Sequence, residues 1–145
     1  TRVAVEGPYG LFTAHRQSRS KVLLVAGGIG ITPLRALVEE IPPKKDAITL
    51  IYRASSWEDI VFREELDKLI RDRRGTIHYL IGRRGTPELP DDPLSAQMLR
   101  RLVPDVESRD VFVCGPASMM QRMREVLRTI GVPDQQIHFE RFALL

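Results

Sequence analysis

Short, continuous apolar runs alternate along this chain with amphipathic helical patterns, and that alternation leaves few folds open to it. Val22–Ala26, Ile48–Tyr52, Ile77–Ile81, Val111–Cys114 and Gln136–Phe142 read as strands. Between them, apolar residues recur at helical spacing: Leu34, Leu37, Val38 and Ile41; then Ile60, Leu66 and Ile70; then Ser95 to Leu102; then Met119, Met120, Met123, Val126, Leu127 and Ile130. A strand that is apolar throughout, rather than at every second residue, is covered on both faces. Strands separated by helices pair in parallel, and right-handed crossovers restrict how they connect. The boundaries carry their own signals. Pro42-Pro43 stops the first helix, Ser55 and Glu58 stand at capping-box spacing for the second, and Gly75 follows its basic end Arg71–Arg74. Gly131-Val132-Pro133 ends the last helix, and Gly82–Asp92 is a polar, proline-rich loop.

Composition narrows the class. A length of 145 residues fits one domain with one full core. Apolar residues at 43% and charged residues at 28% describe a globular protein rather than a disordered one. Lysine and arginine outnumber the acids only 22 to 19, too small a surplus to point to a nucleic-acid partner. The single cysteine, Cys114, excludes an internal disulfide and a Cys-only zinc site, and it fits a reducing compartment. His15, His78 and His138 have no ligand spacing, so no metal site is expected. The longest apolar runs are far too short to cross a bilayer. Arg2–Glu6 alternates and Gly7-Pro8-Tyr9-Gly10 is turn-like, so residues 1–15 read as the tail of a preceding domain and 16–145 as the domain proper. With Thr1 at its start, the chain is expected to come from a longer protein.

Two strand-to-helix loops carry the chemistry. In the first, Val25-Ala26 runs into Gly27, Gly28, Ile29, Gly30, Ile31, Thr32 and Pro33. Glycines allow close approach and positive φ. Thr32 is placed to cap the next helix with Pro33 at its first position. The unpaired N–H groups and dipole of a helix start suit an anion such as a pyrophosphate. The competing reading is a tight turn with no ligand, for the spacing is neither G-x-G-x-x-G nor a P-loop. The second loop, Cys114-Gly115-Pro116 with Met119, also joins a strand to a helix. The two meet at a topological switch point if the first and fourth strands are neighbours. Cys114 would then stand at the floor of a cleft, or be a buried core thiol. Arg53 follows the second strand, where an NAD-specific domain often has an acid for the ribose hydroxyls. Arg53 and Arg83, with Arg84 the weaker neighbour, suit a 2′-phosphate and hence NADPH, and the alternative is plain surface arginine. Tyr52, Trp57 and Phe142 are read from the residues alone as packing aromatics.

These motifs, in order, resemble the NAD(P)H-binding domain of the ferredoxin–NADP reductase superfamily: Gly27-Gly28-Ile29-Gly30-Ile31-Thr32-Pro33, Cys114-Gly115-Pro116 with Met119, and Glu140-x-Phe142. Upstream, Gly7-Pro8-Tyr9-Gly10-x-Phe12 resembles the end of that family's flavin domain before the crossover. The resemblance implies an α/β three-layer sandwich, Rossmann-like, with a five-stranded parallel sheet in the order 3-2-1-4-5. It implies that the Gly27–Pro33 loop cradles the pyrophosphate and that Cys114, Gly115 and Pro116 lie beside the nicotinamide. There the thiol orients the ring rather than attacking it. It also implies that Phe142 stands near the flavin ring, although Ala143-Leu144-Leu145 follow it here. Tyr52-Arg53 and Ile81-Gly82-Arg83 are most like the transmembrane ferric reductase and NADPH oxidase branch.

The resulting expectation is a flavoprotein oxidoreductase module. NADPH, or NADH as the alternative donor, is bound by Gly27, Gly28, Gly30, Ile31, Thr32, Pro33, Arg53, Ser55, Arg83, Cys114, Gly115, Pro116 and Met119. Cys114 and Phe142 stand at the reacting rings. FAD is expected in a partner domain of the same parent chain, because the family's Arg-x-Tyr-Ser/Thr flavin signature is absent from this sequence, and no cysteine cluster for an iron–sulfur domain follows Phe142. Electrons would then pass to haem, ferric iron or oxygen. The domain alone would be inactive, cytoplasmic, and associated with a membrane only through its parent. Two other readings stay open: an NADH-using soluble reductase feeding an iron–sulfur partner, and a non-catalytic flavodoxin-like regulatory module. A receiver domain would need paired acids after the first strand, where Gly27-Gly28 stands. A methyltransferase would want an acid where Arg53 sits.

Overall fold

The computed structural model describes residues 19–83, 89 and 92–141. The 1–15 tail, Arg84 and Phe142 lie outside the described residues. The elements run β1 (Val22–Gly27), α1 (Ile31–Glu40), β2 (Ile48–Ala54), α2 (Arg63–Asp72), β3 (Thr76–Ile81), α3 (Ala96–Leu102), β4 (Asp110–Gly115), α4 (Ala117–Ile130) and β5 (Ile137–Arg141). The strands form one five-stranded sheet in the order β3-β2-β1-β4-β5. Every pairing is parallel, with Gly27 beside Arg53, Ala26 beside Cys114, and Cys114 beside Glu140. The Rossmann-like sheet order that the family resemblance implies is the order found.

The pleat explains why the central strands β1, β2 and β4 are buried almost throughout. Val22, Leu24, Ala26, Leu50, Tyr52, Phe112 and Cys114 face α1 and α2, packing with Leu34, Leu37, Leu66 and Ile70. Leu23, Val25, Ile51, Val111 and Val113 face α3 and α4, packing with Leu99, Met123, Val126 and Leu127. Successive residues of one strand thus belong to opposite layers, and both layers exclude water. At the N-terminal edge of the sheet the buried Arg109 guanidinium donates to the carbonyls of Val22 (2.8 Å) and Asp46 (3.1 Å) and to Asp105 (2.8 Å). These bonds satisfy backbone oxygens that the ladder leaves over. No helix among the described residues is long and apolar enough to cross a membrane.

Three helix boundaries differ from the sequence reading. Thr32 is not the cap of α1, and Pro33 is not its first residue. A 3₁₀ turn over Gly28–Gly30 starts the winding early, so Gly30 caps and Ile31 begins the helix. Pro33 is tolerated at the third position because the first-turn N–H groups have no partner within the helix. Ser55 and Glu58 do not form a capping box for α2. A 3₁₀ turn at Trp57–Asp59 intervenes, Ser56 Oγ bonds Asp59 Oδ2 (3.1 Å), and the cap is Phe62. After α2 the left-handed residue is Arg74 (φ 61°), not Gly75. Gly75 is required by close packing, since a Cβ there would lie 2.6 Å from the Ile48 carbonyl oxygen.

Candidate functional site

Because β1 lies between β2 and β4, the chain leaves the end of β1 in one direction and the end of β4 in the other. The gap between the two connections opens into a crevice of about 800 Å³ along the C-terminal edges of β1, β2 and β4. That is the switch point at which open α/β sheets take their ligands. Gly27, Gly28, Ile29 and Thr32 form its β1 side, and Arg53, Ala54, Ser55 and Asp59 its β2 side. Pro116, Ser118, Met119 and Arg122 come from the start of α4, while Val61-Phe62 and Asp92-Pro93-Leu94 complete the walls.

Every expected site residue except Phe142 falls among the described residues. Gly27, Gly28, Thr32, Arg53, Ser55, Pro116 and Met119 line the crevice. Gly28 takes φ +56°, with nothing within 4 Å of the place a Cβ would occupy, so this glycine answers to backbone shape and to open space. Gly30 is buried instead, and a Cβ on it would lie 2.0 Å from the Cys114 carbonyl oxygen. It permits the close passage of α1 over β4. Ile31 is fully buried and Pro33 is also buried, beneath the loop rather than in it. Gly115 lies under Met119, whose Cε would be 2.4 Å from an added Cβ, and the same thioether would meet a Cβ on Gly27 at 2.6 Å. Met119 therefore occupies the space that these two glycines leave and forms the floor between the strand ends.

Two expected residues stand apart. Cys114 is wholly buried in the layer beneath α1 and is not among the crevice residues. Burial first, and then the neighbouring Glu140 charge, push its thiol up to about 12. The folded protein therefore keeps the thiol protonated near neutral pH, and its side chain lies on the core face of β4. Arg83 is exposed at the end of β3 and does not line the crevice. Arg53 does line it. Its Nη1 donates to the carbonyls of Ala54 and, at 3.2 Å, Leu80, which ties the guanidinium to the ends of β2 and β3. Tyr52 is fully buried, its hydroxyl accepting from the Val61 N–H (3.2 Å), and Trp57 stands outside the crevice with the Arg63 guanidinium 4.0 Å from its ring centre.

The sequence reading did not select Ile29, Asp59, Val61, Phe62, Asp92, Leu94, Ser118 or Arg122. Ser118 and Arg122 stand four residues apart on α4, and Arg122 three after Met119, a legible signal that Arg122 shares a face with each. Ile29 lies within the glycine loop already singled out, and the rest reach the crevice through turns and loops whose paths carry no strand or helix periodicity. Charge on the walls is mixed, since Arg122 pairs with Asp92 across the opening and Asp59 stands on the same side as Arg53. Among the described residues no cluster of histidine, cysteine or acid could hold a metal ion. The crevice therefore offers a glycine-lined edge, apolar walls and fixed cations, the features of a site for an elongated, phosphate-bearing, partly aromatic molecule.

Comparison with known proteins follows the same line. A family model described as the oxidoreductase NAD-binding domain matches residues 24–125. The ferredoxin reductase component of 3-ketosteroid-9-alpha-monooxygenase from Mycobacterium tuberculosis is 32% identical over 148 residues, covering 99% of this chain and 39% of that protein. The glycine betaine monooxygenase reductase subunit of Pseudomonas aeruginosa is 30% identical over 144 residues, covering 95% of this chain and 39% of its own length. Among solved structures, the flavohem-like FAD/NAD binding domain of nitric oxide dioxygenase from Vibrio cholerae O1 biovar El Tor superposes with a TM-score of 0.71 at 25% identity, over 86% of this chain and 52% of that one. The chain spans about two fifths of the length of the two curated relatives.

Proposed function

This chain belongs to the oxidoreductase NAD-binding domain family, within the ferredoxin–NADP reductase superfamily, and from that premise we propose that its crevice holds the pyridine nucleotide of a flavin-dependent oxidoreductase. One observation carries the reading: the glycine loop after β1, the start of α4 and Arg53 converge on one opening at the switch point. The residues fit a dinucleotide. Gly28 leaves room where phosphates would pass, and Thr32 is exposed in the first turn of α1, whose N–H groups face the same loop. Pro116 and Met119 give an apolar end for a flat ring, and Arg53 a cation at the other end. When bound, reduced nicotinamide supplies a hydride for a flavin, which we assign to a separate domain of the parent protein. This chain's residues bind, orient and exclude water, and none of them has to act as acid or base.

We assign NADPH as the preferred donor on the strength of Arg53, and take haem, ferric iron or oxygen as the acceptor class, with Tyr52-Arg53 and Ile81-Gly82-Arg83 supporting the ferric reductase and NADPH oxidase branch. A second reading, an NADH-using reductase that feeds an iron–sulfur partner, draws support from two observations. Arg83 stands outside the crevice, and the Asp59 carboxylate lies inside it, where a ribose hydroxyl is a better partner than a phosphate. Calorimetric titration with NADPH and NADH separates the readings. The chain should bind NADPH, and Arg53→Ala should weaken it about tenfold or more, the worth of a charge-assisted bond, with little loss for NADH. Equal losses would leave the second reading, and no binding of either nucleotide would overturn both.

A further inference from the structure

We infer that Phe62 is a preset aromatic wall for the purine end of the dinucleotide, an inference that rests on the reading of the crevice given above. Phe62 is a bulky residue at φ 60°, ψ 25°, in the left-handed region that such residues rarely enter. The fold gains little from placing it there. Its side chain makes no capping bond to α2, and glycine or asparagine would hold this backbone with less strain. Nor does the ring serve the core, for it is 40% exposed and lines the crevice.

Several contacts nonetheless fix it in place. The preceding Val61 N–H donates to the hydroxyl of the fully buried Tyr52, and the Phe62 carbonyl accepts from Leu66 N–H (2.7 Å), the first bond of α2. The Arg35 guanidinium lies 5.3 Å from the ring centre and is itself held by Glu65 (2.7 Å) and Glu39 (3.4 Å). A strained backbone, an exposed aromatic ring and a pinned cation over that ring are together the marks of a surface prepared for a ligand. Three of the four large exposed apolar side chains among the described residues, Ile29, Val61 and Phe62, line this one opening.

The position of Phe62 selects the occupant. It stands on the β2 side, with Ala54, Ser55 and Asp59, whereas Pro116 and Met119 lie at the end of β4. If the nicotinamide takes the Pro116–Met119 end, the base facing Phe62 is the adenine. An aromatic face is tolerant of which base stacks on it but requires a flat one.

The test uses the full chain and three probes: NADPH, ADP-ribose, which carries the adenine without nicotinamide, and reduced nicotinamide mononucleotide, which lacks the adenine. Phe62→Ala should weaken ADP-ribose and NADPH about tenfold, within the range for loss of a base-stacking aromatic, and leave the mononucleotide unchanged. Phe62→Trp should restore affinity. Phe62→Gly should lose the same affinity while melting no lower than the native chain, because glycine accepts the left-handed backbone. If native protein binds NADPH but Phe62→Ala binds ADP-ribose equally well, or loses all three probes alike, the role of Phe62 is overturned and the crevice reading stands. If native protein binds no probe, both fall.

Discussion

Arg53 and Cys114 are neighbours of the same β1 strand, one on each side, and their environments set them opposite tasks. Arg53 reaches the crevice at the end of β2, while Cys114 turns into the core one residue short of the end of β4. The buried thiol makes a prediction of its own. In the unfolded chain it ionises from its ordinary value of 9.0, whereas in the folded chain burial and the Glu140 charge hold the proton to about 12. Between those values the unfolded state releases a proton that the folded state keeps, so rising pH favours unfolding, by about 1.4 kcal/mol for each pH unit. Below pH 9 the effect is absent. Cys114→Ala should remove this slope, so that denaturant unfolding measured from pH 8 to pH 11 shows a shallower decline than in the native chain. Parallel curves would contradict the burial of the thiol. The cysteine was legible in the sequence as a residue at a strand end, but its direction was not. Which face of β4 it takes depends on register with β1, and that register is fixed by packing on both layers at once.

At the level of elements, the central strands β1, β2 and β4 were readable because each is sealed on both sides, and such sealing leaves an unbroken apolar run, whereas the sheet order followed only from the family resemblance. Helix starts were less readable because turn geometry competes with capping chemistry. Thr32-Pro33 has the composition of a helix start, yet the glycines before it wind into a 3₁₀ turn and begin α1 early. The glycine loop itself divides into two kinds of residue, and substitution separates them. Gly28 has a positive φ and open space around it, so Gly28→Val should cost about 1–2 kcal/mol of stability through backbone strain and abolish nucleotide binding by filling the phosphate path. Gly30 sits against the Cys114 carbonyl, so Gly30→Ala must push α1 away from β4 and should cost about 3 kcal/mol or more. Denaturation together with nucleotide titration checks both. A Gly28→Val chain that still binds would remove the loop from the site, and a Gly30→Ala chain of native stability would contradict the close passage of α1 over β4.

The molecule as a whole places its stabilising polar bonds and its open crevice at opposite edges of one sheet. Arg109 ties β1, the Asp46 turn and Asp105 together at the N-terminal edge, beside a smaller cavity of about 320 Å³ that includes Thr49, His78 and Arg109. The large crevice lies at the C-terminal edge, where strand ends and loops are available to a ligand without disturbing the core. Seven of the seventeen lining residues were legible from motifs at strand ends. Others, including Phe62, Asp92 and Leu94, arrive through segments whose position depends on the whole fold. We propose that this C-terminal crevice, and not the opposite cavity, binds the pyridine nucleotide. Backbone amide NMR of the 145-residue chain, titrated with NADPH, tests it most directly. Shifts confined to Gly27, Gly28, Thr32, Ser55, Phe62, Ser118 and their neighbours are the predicted result. Shifts centred on Thr49, His78 and Arg109, or no shifts at all, would contradict it.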